Sequence, residues 1–218
     1  MGTFVWTKMG AEGGQSLPRI IALKEAERQA GSGVFWWGIG NSLGVAVHEA
    51  AAKSGGTLPV IFSTMLTRHK RADSHPNYVC VWEHWQDQQG IVRPLPPHVL
   101  EWSRGNEAKK VHYALVCRST EPLSIADLGQ FDPSKCKTVK GKSPGGSQVT
   151  ALLEEDASMD HSRGEYHRCF KADLVEPWVV KLVRPRRMSQ DEQSIQNSWR
   201  PGGDWLGFVG RFRSGLIP

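Results

Sequence analysis

The densest chemistry in the chain lies in Gly33-Val-Phe-Trp-Trp-Gly-Ile-Gly-Asn41, continued by Ser42-Leu43-Gly44. Gly38 and Gly40 let the backbone turn, or let another molecule approach it closely. Asn41 carries an amide whose donor and acceptor faces can read the edge of a heterocycle. Trp36 and Trp37 are adjacent on an extended run and must point to opposite faces, so one can enter the core while the other lines a cleft. Trp82 and Trp85 flank His84, and nine tryptophans in 218 residues is a high content. A slot walled by indoles with an amide at its rim holds one planar base, with stacking worth roughly 1–3 kcal/mol per base. Such a base must be single-stranded or flipped from its duplex. The base-binding candidates are therefore Trp36, Trp37, Gly38, Asn41, Ser42, Trp82 and Trp85. Core packing is the ordinary role of any one tryptophan, and the expectation needs only two or three exceptions.

Charge points the same way. The formal net charge is +5 and the sequence pI about 9.1. The basic residues cluster in Arg68-His-Lys-Arg71, in Lys135, Lys137, Lys140 and Lys142, and in Lys181-Leu-Val-Arg-Pro-Arg-Arg187. Blocks of this kind favour polyanionic partners, although a single charge run is ordinarily a solvated face. Arg68, Lys70, Arg71, Lys140 and Lys142 are the candidates for sequence-independent phosphate contacts. The partner expected is DNA or RNA, and the sequence does not choose between them.

Catalytic signatures are incomplete. There is no phosphate-binding loop with its lysine, and the third glycine after Gly38-Ile-Gly40 is Gly44, one place beyond dinucleotide spacing. His161, His167 and Cys169 could converge, but no second pair completes a tetrahedral metal set. No Gly-x-Ser-x-Gly elbow is present; Gly145-Gly-Ser147 is half of one. The alternative to a binding module is an enzyme acting on a nucleotide or nucleic acid with His84 or His112 as acid or base. No cofactor and no metal is expected, and the balance of residues leans away from catalysis.

Composition is that of a globular chain, 39% hydrophobic and 22% charged. No apolar run approaches the roughly 18 residues that cross a bilayer, so no membrane association is expected. Met1 to Lys8 lacks a basic region followed by an apolar one, so no secretory signal is expected. Cys80, Cys117, Cys136 and Cys169 lie far apart and read as small buried hydrophobes in a reduced, cytoplasmic compartment.

The elements that must position these residues follow from periodicity. Thr3 to Met9 reads as an opening strand, Pro18 to Ala30 as a helix with Ser16 or a neighbour as cap, and Val34 to Ile39 as a buried strand. A second helix over Leu43 to Ser54 ends at Gly55-Gly56. Strands are expected at Leu58–Ser63, Tyr78–Trp85, Val111–Arg118, Ser147–Leu153, Tyr166–Leu174 and Trp178–Val183. Ile91 to Pro97 reads as an extended connector or edge. Trp199, Trp205, Phe208, Val209 and Phe212 are spaced for an amphipathic helix, which would dock on the domain or anchor a dimer. No internal repeat or linker divides the chain. The expectation is one domain over 1–218, an α+β fold with a small curved or barrel-like mixed sheet flanked by helices, and a helical extension from about 178.

The order of the first part is a strand with Trp6 and Lys8, a helix, Trp37-Gly-Ile-Gly-Asn41, a helix and the strand Val60-Ile-Phe-Ser63. It resembles the start of EVE-type domains of the PUA-like superfamily, relatives of the YTH readers of methylated adenine. Those domains carry a Trp-x-Gly-Val-x-Asn-like segment here, for which Trp36, Gly38, Ile39 and Asn41 stand in. The resemblance covers roughly residues 3–85 and weakens afterwards. It implies a small PUA-like barrel with a helix-flanked cleft for a modified base. The expected function is a nucleic-acid-binding module recognising a modified or flipped base in an aromatic pocket.

Overall fold

The computed structural model describes residues 2–9, 15–39, 43–65, 78–104, 111–144, 150–156, 167–195 and 198–214. The chain order is β1 (Thr3–Lys8), α1 (Leu17–Ala30), β2 (Val34–Ile39), α2 (Leu43–Lys53), β3 (Pro59–Met65), β4 (Tyr78–Gln86), β5 (Val92–Pro94) and β6 (Glu101–Arg104). It continues with β7 (His112–Arg118), β8 (Gly129–Phe131), β9 (Cys136–Thr138), β10 (Thr150–Glu155), β11 (His167–Arg187), α3 (Gln190–Ile195) and α4 (Trp205–Ser214). The fold is α+β, as the alternating apolar runs imply.

The strands join in one large, mostly antiparallel sheet of order β2-β7-β11-β3-β1-β10-β9. β1 and β3 pair in parallel, with α1, β2 and α2 in the connection between them. The two runs expected at 166–174 and 178–183 are one strand, β11. Its first part pairs β3 and its last part pairs β4, with β7 alongside from Asp173 to Leu182 and a register shift between Leu174 and Val179. The expected extension from about 178 therefore begins inside the sheet, and the helical tail starts at Gln190.

Among the described residues the sheet does not close into a barrel. On β2 two of the outward amides are taken: Val34 N–H donates to Gly31 O and Trp36 N–H to the Glu27 carboxylate of α1. At the other end, Thr138 N–H of β9 turns back to Lys142 O. A helix side chain and a local turn satisfy part of the edges that closure would have paired.

α1 has two apolar sides. Leu17 and Ile21 join the main core with Phe35, Phe62 and Leu115, while Leu23, Ala22 and Ala26 face the tail. Pro18 sits in its first turn, where its missing N–H costs nothing. In the tail, Trp199, Trp205, Phe208, Val209 and Phe212 are all buried against Leu23, Val81, Leu100 and Met188. Arg213 donates to the carbonyls of Leu95, Pro96 and Val99 at 2.6–2.9 Å. The stripe that could have anchored a dimer is consumed within its own chain. No helix among the described residues is long and apolar enough to cross a membrane. All four cysteines are buried and unpaired.

Candidate functional site

β2 divides its two tryptophans as the pleat requires. Trp36 enters a cluster with Trp82, Leu95, Val99, Val116 and Leu182, and meets Trp85 edge-on at 5.8 Å. Trp37 packs on the opposite face, edge-on to Phe62 at 4.9 Å. Trp36 and Trp82 are each only 3% exposed, so their faces are occupied by protein. Of the four candidate tryptophans, Trp37 and Trp85 are half-buried. Trp85 donates to Pro94 O at 3.1 Å and carries the Arg93 guanidinium 5.2 Å from its ring centre. Arg93 is also paired with Asp87.

The other candidates are distributed differently. Asn41, Ser42, Arg68, Lys70 and Arg71 lie outside the described residues. Lys140 and Lys142 are exposed on the turn after β9. The neighbouring Val139 shares a cleft with Lys53 and Ser54, at the C-terminal end of α2. Gly38 stands before the N-terminal end of that helix, so these lysines are not brought to it. Lys181 lies closer, opposite both Gln86 of β4 and Tyr113 of β7, where Tyr113 in turn pairs Ile39 of β2.

The exposed Gly38 has a neighbour that sequence reasoning did not find. Glu101, at the start of β6, projects over it: a Cβ at Gly38 would stand 2.9 Å from Glu101 Oε2. Glu101 is 6% exposed, and its Oε1 accepts from Lys24 Nζ at 2.7 Å. Lys24 Nζ also donates to Glu27 Oε2 at 3.0 Å, and Glu27 Oε1 accepts the Trp36 N–H at 2.6 Å. One ammonium thus serves two buried carboxylates. The Glu27 carboxyl is raised to about 7: burial raises it most, Lys24 pulls it part of the way back, and the nearby Glu101 charge adds to the rise. Burial works against the Lys24 ammonium, but Glu101 and Glu27 outweigh it and hold the pKa above its ordinary value. Glu101 Oε2 has no hydrogen-bond partner among the described residues.

Alternation along β2 sends the Val34 and Trp36 amides away from β7, so the Gly38 N–H faces the same open edge. It too has no partner among the described residues. On the other face, Gly44 of α2 lies so close to the Tyr113 ring that a Cβ would strike it, which seats the helix start firmly beside the end of β2. The arrangement is a rim rather than a pit. Two clefts, of about 520 and 590 Å³, lie elsewhere, between α1 and the 199–206 segment and between α2 and β1–β10.

The histidines of the catalytic alternative flank β11 from opposite sides, His84 on β4 opposite Val183 and His112 on β7 opposite Leu182. His84 Nδ1 is buried without a hydrogen-bond partner among the described residues, and His112 packs on Trp82 at 5.3 Å. A serine–histidine contact does occur away from this rim: Ser63 Oγ lies 3.1 Å from His167 Nδ1 and accepts from Trp6 Nε1 at 2.7 Å. Ser63 is fully buried and His167 3% exposed, which closes this pair to substrate. Among the described residues no three of His, Cys, Asp and Glu converge as metal ligands.

Lys24 and Glu27 read locally as an ordinary i,i+3 pair on a solvated helix face, and Glu101 as one acid in a short strand. No local pattern marks them, because their meeting depends on the fold bringing the Glu101 side chain of β6 to Lys24 of α1 and to Gly38. Comparison with family models, with curated proteins and with solved structures finds no match to this chain.

Proposed function

We propose that the protein is a nucleic-acid-binding module that takes a single unstacked base against the end of β2. The observation that carries this reading is the exposed Gly38 on an open strand edge, beside a buried carboxylate with one oxygen unspent. A glycine admits a flat ring to the backbone, and polar groups fixed by a buried network give that approach its selectivity. The half-buried indoles of Trp85, on the Trp36 face of β2, and of Trp37, on the opposite face, are the aromatic surfaces on either side of this edge, and Arg93 and Lys181 supply cations for the adjoining phosphates.

The likeness of Trp36, Gly38, Ile39 and Asn41 to the EVE-type segment supports the same reading, and with it a PUA-like kinship and the recognition of a modified or flipped base. The assignment of the two tryptophans is narrower than the sequence alone offers. Trp37 and Trp85 are the rings available for stacking, whereas Trp36 and Trp82 hold the strand in place.

The test is fluorescence anisotropy with single-stranded DNA and RNA oligonucleotides over a series of salt concentrations. Binding that weakens linearly in log–log form as salt rises is expected, because each neutralised phosphate releases counterions. Trp37→Ala and Asn41→Ala each weaken it. Binding without salt dependence, or unchanged in both variants, overturns the proposal.

A further inference from the structure

We infer that the end of β2 reads an amidine edge, a ring nitrogen acceptor beside an exocyclic amino donor, and so selects cytosine or adenine over thymine or uracil. This rests on the base-binding reading above and names the chemistry of its ligand.

Two groups carry it. The Gly38 N–H is a donor on the open edge, and Glu101 Oε2 is an acceptor poised over the same residue. Both lack partners among the described residues. Glu101 is more than nine-tenths buried, so its carboxylate is held in place rather than swinging through solvent. Lys24 occupies Oε1, fixing which oxygen is offered.

A ligand that satisfies both must present an acceptor to the amide and a donor to the carboxylate. Cytosine does so with N3 and its N4 amino group, and adenine with N1 or N7 and its N6 amino group. Thymine and uracil present an N–H at the ring position and a carbonyl beside it. That would set donor against donor and a carbonyl oxygen against a carboxylate oxygen. A monomethylated amino group keeps one N–H and still fits; a dimethylated one has none and is excluded. The same logic makes the glycine necessary, since a Cβ 2.9 Å from Oε2 would fill the space where the base edge must lie.

The experiment uses the full chain and three oligothymidylates of about twelve nucleotides that differ only at the centre: dT, dC or dA. The central dC and dA oligonucleotides are expected to bind about tenfold more tightly than all-dT at one fixed salt concentration. Glu101→Gln should bring the three within about twofold of one another while retaining salt-dependent binding. Gly38→Ala should also abolish the preference, and circular dichroism with thermal unfolding confirms that each variant is folded. Equal binding of all three by the native chain overturns the edge assignment and leaves the base-binding reading standing, as does a preference that survives Glu101→Gln. Absence of salt-dependent binding to every oligonucleotide overturns both.

Discussion

Two buried polar networks lie in different parts of this sheet, and they are built on different terms. Where β1, β3 and β11 meet, the Trp6 indole donates to the Ser63 hydroxyl, which bonds His167 Nδ1, with all three side chains at most 3% exposed. The bonds link a single N–H, a single hydroxyl and a ring nitrogen, surrounded by Phe4, Ile61 and Leu153. Beside β2, Lys24, Glu27 and Glu101 bring three charged groups together, again mostly buried, but one carboxylate oxygen remains unspent against an exposed glycine. The first network lets an indole be buried without an orphaned donor. The second exceeds what packing requires, since a hydrophobic trio would avoid the desolvation of three charges. The surplus acceptor is what distinguishes the network at the proposed site from the one in the core.

Removing the shared cation should give the largest effect. Lys24→Met leaves two carboxylates facing each other without compensation, and a loss of about 3–5 kcal/mol in urea unfolding is expected. The triple variant Lys24→Met, Glu27→Gln, Glu101→Gln should recover most of that loss, because no charge then remains buried. Failure of the triple variant to recover would mean that the cluster contributes net stability, and the contrast with the Trp6 network would fall.

Ser63→Ala tests the other network and should cost less, about 1–3 kcal/mol, because it leaves the buried Trp6 N–H without its acceptor. Oligonucleotide affinity should be unaffected by it. A change in affinity without a change in stability would move the functional surface towards Ser63 and His167.

The charged network should also show itself in pH. The Glu27 carboxyl is raised, by burial most of all, to about 7 in the folded state, against an ordinary value of 4.5. The folded chain therefore holds this proton over a range where the unfolded chain has released it. Its stabilising contribution is full below about pH 4.5 and is lost as pH rises towards 7. Glu25, Asp87 and Glu192 work in the opposite sense: burial raises Glu25 and Glu192, but their partners outweigh it and hold both low, and the Arg93 contact lowers Asp87. The informative quantity is thus the difference between native chain and Glu27→Gln. Native melting temperature should fall relative to the variant between about pH 4.5 and 7, and parallel curves would contradict the assignment.

Much of the framework was legible in the sequence because it is local. Pro18 and the Leu17, Ile21 spacing mark α1, Gly55-Gly56 closes α2, and the adjacent Trp36 and Trp37 announce their opposite faces. What the sequence hid is non-local. The break around Trp178 and Glu176-Pro177 looks like a boundary between strands, yet β11 runs through it because β3, β7 and β4 pair it in succession. Trp82 looked available until β4 folded it against Trp36 and Leu182. Glu101 could not be picked out at all, since nothing near it in sequence says that it ends above Gly38.

The smallest expected effect comes from the lysines farthest from the proposed site. Lys140 and Lys142 are exposed at the turn beyond β9, beside the C-terminal end of α2, whereas Gly38 precedes its N-terminal end. Their joint replacement by alanine should change stability by no more than about 0.5 kcal/mol, as expected for exposed side chains outside any network. It should also leave oligonucleotide affinity within about twofold of native if the footprint is confined to the end of β2. Lys181→Ala gives the contrast, with a salt slope smaller by about one, the signature of a single lost phosphate contact. If instead the double lysine variant lowers the slope by about two, the strand must run along the whole of α2, and the acceptor at Gly38 would be one station on a longer track rather than its centre.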